Sequence, residues 1–374
     1  MVSRRGVLTG LVALGAVAAG GQMLSISRDS RRYAERAAAL RVPFDPSHEM
    51  PSLVRFATLA ANAHNTQPWR FSVSEGKGGP TGITIAPDLS RHTPVVDPDD
   101  HHLHVSLGCA AENLALAAEA GAEREVEVAY AGEAEGVGIT LGRAGSAVAS
   151  ETTQALFHSI PKRQSTRSVF DGRPVEASDV GRLRDAADAV AGVDTVIVTD
   201  RRQMTQVRDL VISANTRQMS DPAFMSELEE WIRFSPGQAL EREDGLYAPA
   251  SGNPALPAWL GELLFARVVK ARSENARYSA QIDGSSGLAV FFADQSSPDG
   301  WIAVGRACQR FCLMATALGM KTAFVNQPVE VEAFRADLSA LAGMKGRRPD
   351  LLLRFGYAPS LPYSLRRPAE KVMA

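Results

Sequence analysis

The sequence predicts an α+β fold made of two similar halves, and three observations support this. Residues 69–75, "WRFSVSE", and residues 82–88, "GITIAPD", alternate apolar and polar side chains, which is typical of paired β-strands. Residues 102–121 are apolar or small on most faces and predict a buried helix. A similar helix and strand recur near the end of the chain. We therefore expect each half to combine an antiparallel or mixed sheet with packed helices.

The internal repeat places the boundary between the halves near residue 150. A helix predicted at 301–319 aligns with the one at 102–121, and a glycine follows the next strand in both halves. We therefore expect a first half over residues 45–150 and a second half over residues 151–374.

The second half also carries a segment without a counterpart in the first. Residues 218–262 break the helical periodicity with proline, glycine and tryptophan before a helix resumes. Aromatic side chains in this otherwise polar stretch predict an insertion that docks on the body through apolar anchors. It either forms a lid over a site or covers the edge of the core. The anchors are Trp231, Phe234, Tyr247 and Trp259.

A helix is predicted before the first strand, from Ser52 to Asn62. Ser52 follows Pro51 and has the hydroxyl side chain of an N-cap. The turn after this helix contains His64, which is expected at the surface.

Composition describes an ordinary globular protein. The 374 residues are 45% hydrophobic and 22% charged, with a formal net charge of −2. This balance gives no excess of positive charge for a nucleic-acid partner, and none is expected. Three cysteines do not make a disulfide framework. Cys308 and Cys312, one turn apart in an apolar helix, are expected to be buried packing residues.

The N-terminus predicts export. Arg4 and Arg5 precede an apolar run over residues 7–21, which is typical of a twin-arginine signal and is assigned to residues 1–30. This signal predicts the twin-arginine export machinery as a partner and a location outside the cytoplasm. Residues 16–18 offer only a poor cleavage site, so retention as a membrane tether stays open.

A possible phosphate site lies at the start of the second half. In "RQSTRSVF", Arg163, Ser165 and Arg167 alternate, so in an extended stretch they project to one side. Two guanidinium groups beside a hydroxyl suit a phosphate monoester. The same alternation also occurs on solvated surfaces, so these residues leave both interpretations open.

The turn "NTQPW" and the stretch "RQSTRSVF" together resemble the nitroreductase superfamily of FMN-dependent oxidoreductases. In that family an Arg-x-Ser-x-Arg/Lys element binds the flavin phosphate, and an Asn-x-Gln-Pro-Trp element follows one helix later. The stretches "VNQPVEV" and "LLLRFGYAPSLPYSLRRP" look like its flavin-edge loop and last basic residues. The likeness covers residues 45–175 and 300–370. A signal followed by two such halves is most similar to the tandem Acg-type branch.

This resemblance implies a fused pseudo-dimer with one flavin site. Family members are homodimers in which FMN lies at the subunit interface and each subunit supplies one of the two elements. Here the first half has the Asn-x-Gln-Pro-Trp turn without an Arg-x-Ser-x-Arg element. The second half has Arg-x-Ser-x-Arg, but "GVDTVIVTD" stands where the turn would be. Each half therefore keeps the element that the other lacks.

The resemblance assigns the phosphate to basic residues from two places in the chain. Arg163, Ser165 and Arg167 would bind it, and Arg366 and Arg367 match the late basic residues near it.

The remaining cofactor-binding residues would lie around the turn and the flavin edge. Asn65 and Gln67 would fix the turn and face the ribityl or phosphate side. Asn62 stands at a position that is often a small hydroxyl residue in the family. Asn326 and Gln327 lie in the loop that resembles the one facing the isoalloxazine edge.

No side chain is expected to act as a catalytic acid or base, because the flavin carries out the hydride chemistry. The histidines of "DDHHLH", residues 99–104, could suggest a metal site. We expect them instead at a solvated helix start, where acidic residues favour the helix dipole.

Two functions are compatible with these features. The first is an FMN-dependent oxidoreductase that takes electrons from a small-molecule donor and reduces a nitroaromatic, a quinone or another electron-poor acceptor. The second is a flavin-binding protein whose inserted segment covers the cofactor, so that it sequesters flavin with little turnover.

Overall fold

The computed structural model describes residues 25–374 of the chain. The predicted twin-arginine pair and the apolar run after it lie outside these residues. The first helix, α1, covers residues 25–39. None of the helices within the described range combines the length and the apolarity needed to cross a membrane.

The first half contains two α-helices and four strands. The helices are α2 (Glu49–Thr58) and α3 (His101–Gly121). The strands are β1 (Trp69–Gly76), β2 (Gly79–Pro87), β3 (Val126–Gly132) and β4 (Gly136–Leu141).

The second half begins with α4 (Glu151–Ser159) and α5 (Ala177–Asp188). Its sheet contains β5 (Val193–Val198), and a long connection leads from this strand to the next one in the sheet. The elements of that connection are α6 (Arg201–Met219), α7 (Pro222–Glu230), β6 (Ile232–Arg233), α8 (Pro236–Arg242), β7 (Leu246–Tyr247), α9 (Ala258–Val268) and α10 (Ala271–Asp283). The rest of the half consists of β8 (Gly287–Ala293), α11 (Pro298–Ala317), β9 (Lys321–Phe324), α12 (Gln327–Glu330), α13 (Arg335–Leu341), β10 (Leu351–Gly356) and α14 (Ala369–Val372).

The two main sheets have the same strand order. In the first half the order is β1-β2-β4-β3, and in the second it is β5-β8-β10-β9. All neighbouring strands in both sheets run antiparallel. The equivalent helices, α3 and α11, follow the second strand of each sheet. The predicted α+β fold with two similar halves is confirmed.

The inserted segment is longer than the sequence suggested. Only residues 77–78 separate β1 from β2, whereas residues 199–286 separate the equivalent strands β5 and β8. We call residues 199–286 the inserted segment. Phe234 and Tyr247 are buried in it, as expected for anchors, but Trp259 is 56% exposed. Trp259 lies on the exposed face of α9 and is therefore not an anchor.

The halves are joined by a close crossing of α3 and α11. A Cβ atom on Gly108 would lie 2.1 Å from the carbonyl oxygen of Ile302, and one on Gly305 would lie 2.0 Å from that of Val105. The two contacts are reciprocal, because each glycine meets the residue three positions before the other glycine. Glycine is needed at both positions for the backbones to approach this closely.

Buried polar contacts complete this crossing. The carboxylate of Glu112, which is 1% exposed, accepts hydrogen bonds from Arg306 Nε at 2.9 Å and from Arg310 Nη1 at 2.7 Å. Gln309 Nε2 donates to Asn113 Oδ1 at 2.7 Å. Cys308 and Cys312 are buried in α11 with free thiols, as expected for packing residues.

The helix predicted from about Ser52 to Asn62 covers Glu49–Thr58, so it both begins and ends earlier than expected. The helix begins at Glu49, because proline is tolerated in a first helical turn and Pro51 therefore does not mark a boundary. Ser52 is not the N-cap. Its Oγ accepts a hydrogen bond from the backbone N–H of Asp45 at 3.3 Å.

The crossing predicts a strong effect of a side chain at Gly305. Gly305→Val should lower the free energy of unfolding by about 1–3 kcal/mol, because the new atoms overlap the backbone of α3. Urea unfolding followed by circular dichroism measures this change.

Gly181→Ala serves as the control for this experiment. Gly181 lies in α5, where an added Cβ meets nothing within 4 Å, so this variant should gain about 0.5–1 kcal/mol. Equal stability of the Val variant and the parent would show that the crossing is not tightly packed.

Candidate functional site

A cavity of about 600 Å³ lies between the inserted segment and the body of the protein. The body contributes residues 61–64 after α2, one face of α3, the end of β9, part of α12 and two residues of β10. Its volume lies within the range of sites that bind small molecules and cofactors.

The cavity lining combines apolar and polar side chains. The inserted segment contributes a set of apolar side chains, which we call the apolar wall: Met219, Phe224, Leu228, Ile232, Phe234, Leu246, Leu256, Leu264 and Phe265. Polar side chains come from the body and also from α6 and α10 of the inserted segment, and they include Asn62, Arg167, Asn215, Gln218, Glu274, Arg277, Tyr278, Gln281, Asn326, Gln327, Glu330 and Arg354. The cavity therefore suits a ligand that combines an apolar part with a polar part.

Four of the sequence-predicted residues line this cavity: Asn62, Arg167, Asn326 and Gln327. The other predicted residues lie outside its lining. They are Asn65, Gln67, Arg163, Ser165, Arg366 and Arg367.

Arg167 presents a guanidinium group to the cavity. Its side chain makes no hydrogen bond or ion pair with any other residue in the range 25–374. Burial lowers the pKa of Arg167, nearby Arg277 lowers it further, and Tyr278 raises it. An anionic group in the cavity would therefore find an unpaired cation there.

Arg354 adds a second buried cation close to Arg167. Its Nη2 donates to the carbonyl oxygens of Thr166 and Ser168 at 3.2 and 2.9 Å. Burial and the charge of Arg167 lower the pKa of Arg354 to about 9. The Nε of Arg354 is buried without a partner among the described residues.

Arg163 and Arg366 lie at the C-terminal end of α2. Arg163 Nη2 donates to the carbonyl oxygen of Leu59 at 3.0 Å, and Arg366 Nε donates to that of Thr58 at 2.7 Å. Cations at this end of a helix stabilise the last carbonyl groups and the dipole. Arg163 still has Nε and Nη1 buried without a partner in the described part of the chain.

Asn65 connects the turn after α2 to two distant segments. Its Nδ2 donates to the carbonyl oxygens of Gly245 at 3.0 Å and Leu365 at 3.2 Å. Its Oδ1 accepts a hydrogen bond from Arg366 Nη1 at 2.5 Å. The side chain is thus committed to holding the inserted segment and the C-terminal segment against the turn.

Gln67 makes a second connection of the same kind. Its Nε2 donates to the carbonyl oxygen of Glu243 at 2.9 Å, and its Oε1 accepts from the backbone N–H of Arg367 at 2.7 Å. The backbones of His64, Asn65 and Gln67 have φ values of 44°, 57° and 56°. This uncommon left-handed turn is held by the hydrogen bonds to its side chains.

Ser165, Asn326 and Gln327 have different surroundings. Ser165 forms an isolated β-bridge with Thr322. Asn326 Oδ1 accepts from the backbone N–H of Leu352 at 2.8 Å. Gln327 Oε1 is buried without a partner among the residues described, so it can accept a hydrogen bond from a ligand.

The surface position expected for His64 is wrong. His64 lines the cavity, and its Nδ1 is buried. Burial lowers the pKa of His64 to about 4, with a further contribution from Arg167. The left-handed turn directs this residue inward, which a sequence pattern does not reveal.

The solvated start expected for α3 is also wrong. His101, His102 and His104 are buried, because Asp350 and Trp301 of the second half cover the helix start. His101 Nε2 lies 2.9 Å from Asp350 Oδ1.

Donor atoms of Asp97, His101 and His102 lie within 4.8 Å of one another. Both carboxylate oxygens of Asp97 already accept hydrogen bonds, from the backbone N–H groups of His102 and Leu103 at 3.0 Å. Asp97 therefore caps the first turn of α3.

Several cavity residues were not singled out from the sequence. Arg277 and Tyr278 lie in a helix without a motif, whereas Glu330 lies within the quoted stretch "VNQPVEV" but carried no expectation of its own. For Arg354 the sequence does contain an indication. An arginine within the apolar strand "LLLRFG" is expected to be buried, and a buried arginine needs a partner.

Comparison with known proteins finds relatives that align with most of the chain. The chain is 24% identical over 348 residues to a Mycobacterium tuberculosis protein named "Putative NAD(P)H nitroreductase", with 90% of this chain and 94% of that protein aligned. It is also 24% identical over 336 residues to a second protein of that organism, which is named as uncharacterized. The name of the first relative agrees with the nitroreductase resemblance of the motifs.

Solved structures cover about half of the chain. A nitroreductase with bound FMN from Desulfitobacterium hafniense matches 59% of this chain and 96% of its own, at 13% identity and a TM-score of 0.37. An FMN-dependent nitroreductase from Mycobacterium smegmatis, in complex with NADPH, matches 56% and 89% at 16% identity and a TM-score of 0.37. No known protein-family model matches the chain.

Proposed function

We propose that the protein binds FMN in the cavity and is a nitroreductase-like oxidoreductase. The observation that carries this proposal is the unpaired guanidinium of Arg167 in a cavity that also has an apolar wall. The motif resemblance and the name of the full-length relative support it.

The residues present fit this cofactor. FMN combines a flat ring system that has a polar edge with an anionic phosphate. Arg354 and Gln327 line the cavity and have buried polar atoms that lack partners among the described residues, the donor Nε and the acceptor Oε1 respectively. A bound phosphate and a ring N–H would satisfy such atoms, whose burial without partners is otherwise costly.

Each group then has a defined task. When bound, FMN supplies hydride transfer between a small-molecule electron donor and an electron-poor acceptor such as a nitroaromatic or a quinone. Arg167 and Arg354 would neutralise the phosphate, while Asn326 and Gln327 would orient the ring edge. The apolar wall would exclude water from the reacting face.

We further propose that the protein is exported by the twin-arginine route and acts outside the cytoplasm, with possible retention by its N-terminal segment. The paired arginines before the apolar run support this proposal. NAD(P)H, named for the relative, is scarce outside the cytoplasm, so an exported protein would use another small-molecule reductant.

Arg167→Ala tests the assignment of the cofactor. FMN affinity should fall about ten- to a hundredfold, because one charge-assisted contact is worth about 1.5–3 kcal/mol. Riboflavin lacks the phosphate and should bind the variant and the parent equally. Isothermal titration calorimetry with both ligands gives the comparison.

Urea unfolding of the same Arg167→Ala variant is the control, and its midpoint should stay near that of the parent. An equal loss of riboflavin and FMN affinity would contradict a phosphate contact for this residue.

A flavin-sequestering function is the second candidate, and one contact favours it. The buried carboxylate of Glu227, on α7, accepts hydrogen bonds from the backbone N–H groups of Val95 and Val96 at 2.8 and 3.0 Å. This contact holds the apolar wall against the first half. Access to the cavity would therefore depend on release of the inserted segment.

Glu227→Ala tests this restriction. If the wall restricts access, dithionite-reduced protein should be reoxidised by a quinone several-fold faster in this variant, since both hydrogen bonds are lost. Stopped-flow absorbance follows the reaction, and Ser226→Ala, an exposed change on the same helix, is the control. An unchanged reoxidation rate in a variant with full flavin content would contradict sequestration. The protein would then be a reductase with an open site.

A further inference from the structure

A second cavity, of about 1110 Å³, lies between α1 and the body of the protein. We call it the α1 groove. It is lined by residues of α1, α2, α4 and the C-terminal segment, together with three residues of the inserted segment. Within the described range 25–374, none of its lining residues also lines the cavity proposed to bind FMN. The α1 groove is therefore a separate site, and it has enough room for a small-molecule ligand.

Most of the α1 groove is apolar. Three alanines of α1 line it with small side chains that leave room for a ligand. The rings of Phe56 and Phe157 stack with their centroids 5.4 Å apart, and Phe44 meets both at a steep angle. The rings of Tyr33 and Tyr247 lie 4.2 Å apart. Such a lining favours the apolar part of a ligand, because binding there removes apolar surface from water.

The side chains of the α1 groove that can carry a charge at neutral pH are all basic. Arg41, His158 and Lys162 line it, whereas no aspartate or glutamate in the described part of the chain does. Lys162 is exposed, so it lies where the groove meets solvent. An apolar lining with only positive charge suits an amphipathic anion.

Arg41 is held in the α1 groove by neutral groups. Its Nη1 donates to the carbonyl oxygen of Ala37 at 2.8 Å, and its Nη2 donates to that of Ser364 at 3.1 Å. The guanidinium carbon lies 4.2 Å from the centre of the Tyr363 ring. A guanidinium group has five N–H donors, and these two bonds leave the other three for a ligand or for solvent.

The charge of Arg41 has no counter-ion in the described residues. The side chain makes no ion pair within the range 25–374, and its Nε is buried without a partner there. Burial lowers the pKa of Arg41 to about 10, so the group is still charged at neutral pH. A largely buried cation without a counter-ion is costly, and a carboxylate in the groove would supply the missing charge.

We propose that the α1 groove binds a free fatty acid, with its alkyl chain against the apolar lining and its carboxylate beside Arg41. One largely buried guanidinium matches the single charge of a carboxylate, whereas a phosphate monoester would bring a charge of about −1.5 to −2. The proposal goes beyond the oxidoreductase function and does not depend on it, because the groove and the cavity have no lining residue in common.

A chain-length series tests burial of the alkyl chain. Isothermal titration calorimetry of the full-length protein at neutral pH should give an affinity for decanoate about fifteenfold higher than for octanoate. Each buried methylene contributes about a fourfold gain in affinity, and the two acids differ by two. Equal affinities would show that the chain is not buried, and this result would overturn the proposal.

Arg41→Gln tests the contact with the carboxylate. The affinity for decanoate should fall about ten- to a hundredfold, because a charge-assisted contact is lost. Decanol has the same chain without the charge, so its affinity should stay near that of the parent. Arg31→Gln changes an exposed arginine of α1 outside the groove and should alter neither affinity. Equal losses for decanoate and decanol in Arg41→Gln would contradict the carboxylate contact.

Ala34→Trp tests the location of the site and keeps Arg41 intact. Ala34 is exposed and lines the α1 groove, so a large side chain there should fill the groove without disturbing the core. Decanoate and decanol should both bind at least tenfold more weakly, while the midpoint of urea unfolding stays near that of the parent. Parent-like binding of decanoate by this variant would place the fatty acid elsewhere and overturn the proposal.

Two further outcomes would also overturn it. If the parent binds none of these acids, the groove is closed to ligands or filled by another part of the chain. If the parent binds no free acid but binds vesicles of phosphatidylglycerol in a sedimentation assay, the basic residues of the groove recognise a membrane surface instead.

Discussion

The architecture depends on the crossing of α3 and α11. Two glycines, Gly108 and Gly305, let the helices meet backbone to backbone, and a buried carboxylate, Glu112, accepts from two arginines of the other half. The contacts of the two glycines are reciprocal. The crossing therefore gives the two sheets similar positions relative to α3 and α11. The cavity lies at the N-terminal part of α3, so its shape also depends on how closely these helices approach.

A second constraint holds the cavity wall in place. The left-handed turn at residues 64–67 directs His64 into the cavity and uses Asn65 and Gln67 to bind the inserted segment and the C-terminal segment. These two amides were predicted to fix the turn and to face the cofactor. In the structure their hydrogen-bonding groups are occupied by protein, and their direct part in ligand binding stays a prediction.

The sequence predicted much of the fold and less of the site. Strand alternation and the apolar helix identified β1, β2 and α3, because burial on one face leaves a periodic pattern. The length of the inserted segment was underestimated, since α6 and α10 read as ordinary helices. His64 and Glu330 were missed because a residue's exposure to an internal cavity depends on tertiary packing. The arginine motif correctly identified Arg167 as a cavity residue. It did not reveal that Arg163 binds a carbonyl group at the end of α2, because that group is distant in the sequence.

We propose that both halves together form a single flavin site. The most direct test is to release flavin from the purified protein by denaturation and to quantify it against protein. We expect about one FMN per chain, after reconstitution if the protein is purified without it. Two FMN per chain would show that each half binds its own cofactor, and none after reconstitution would show that the cavity serves another ligand.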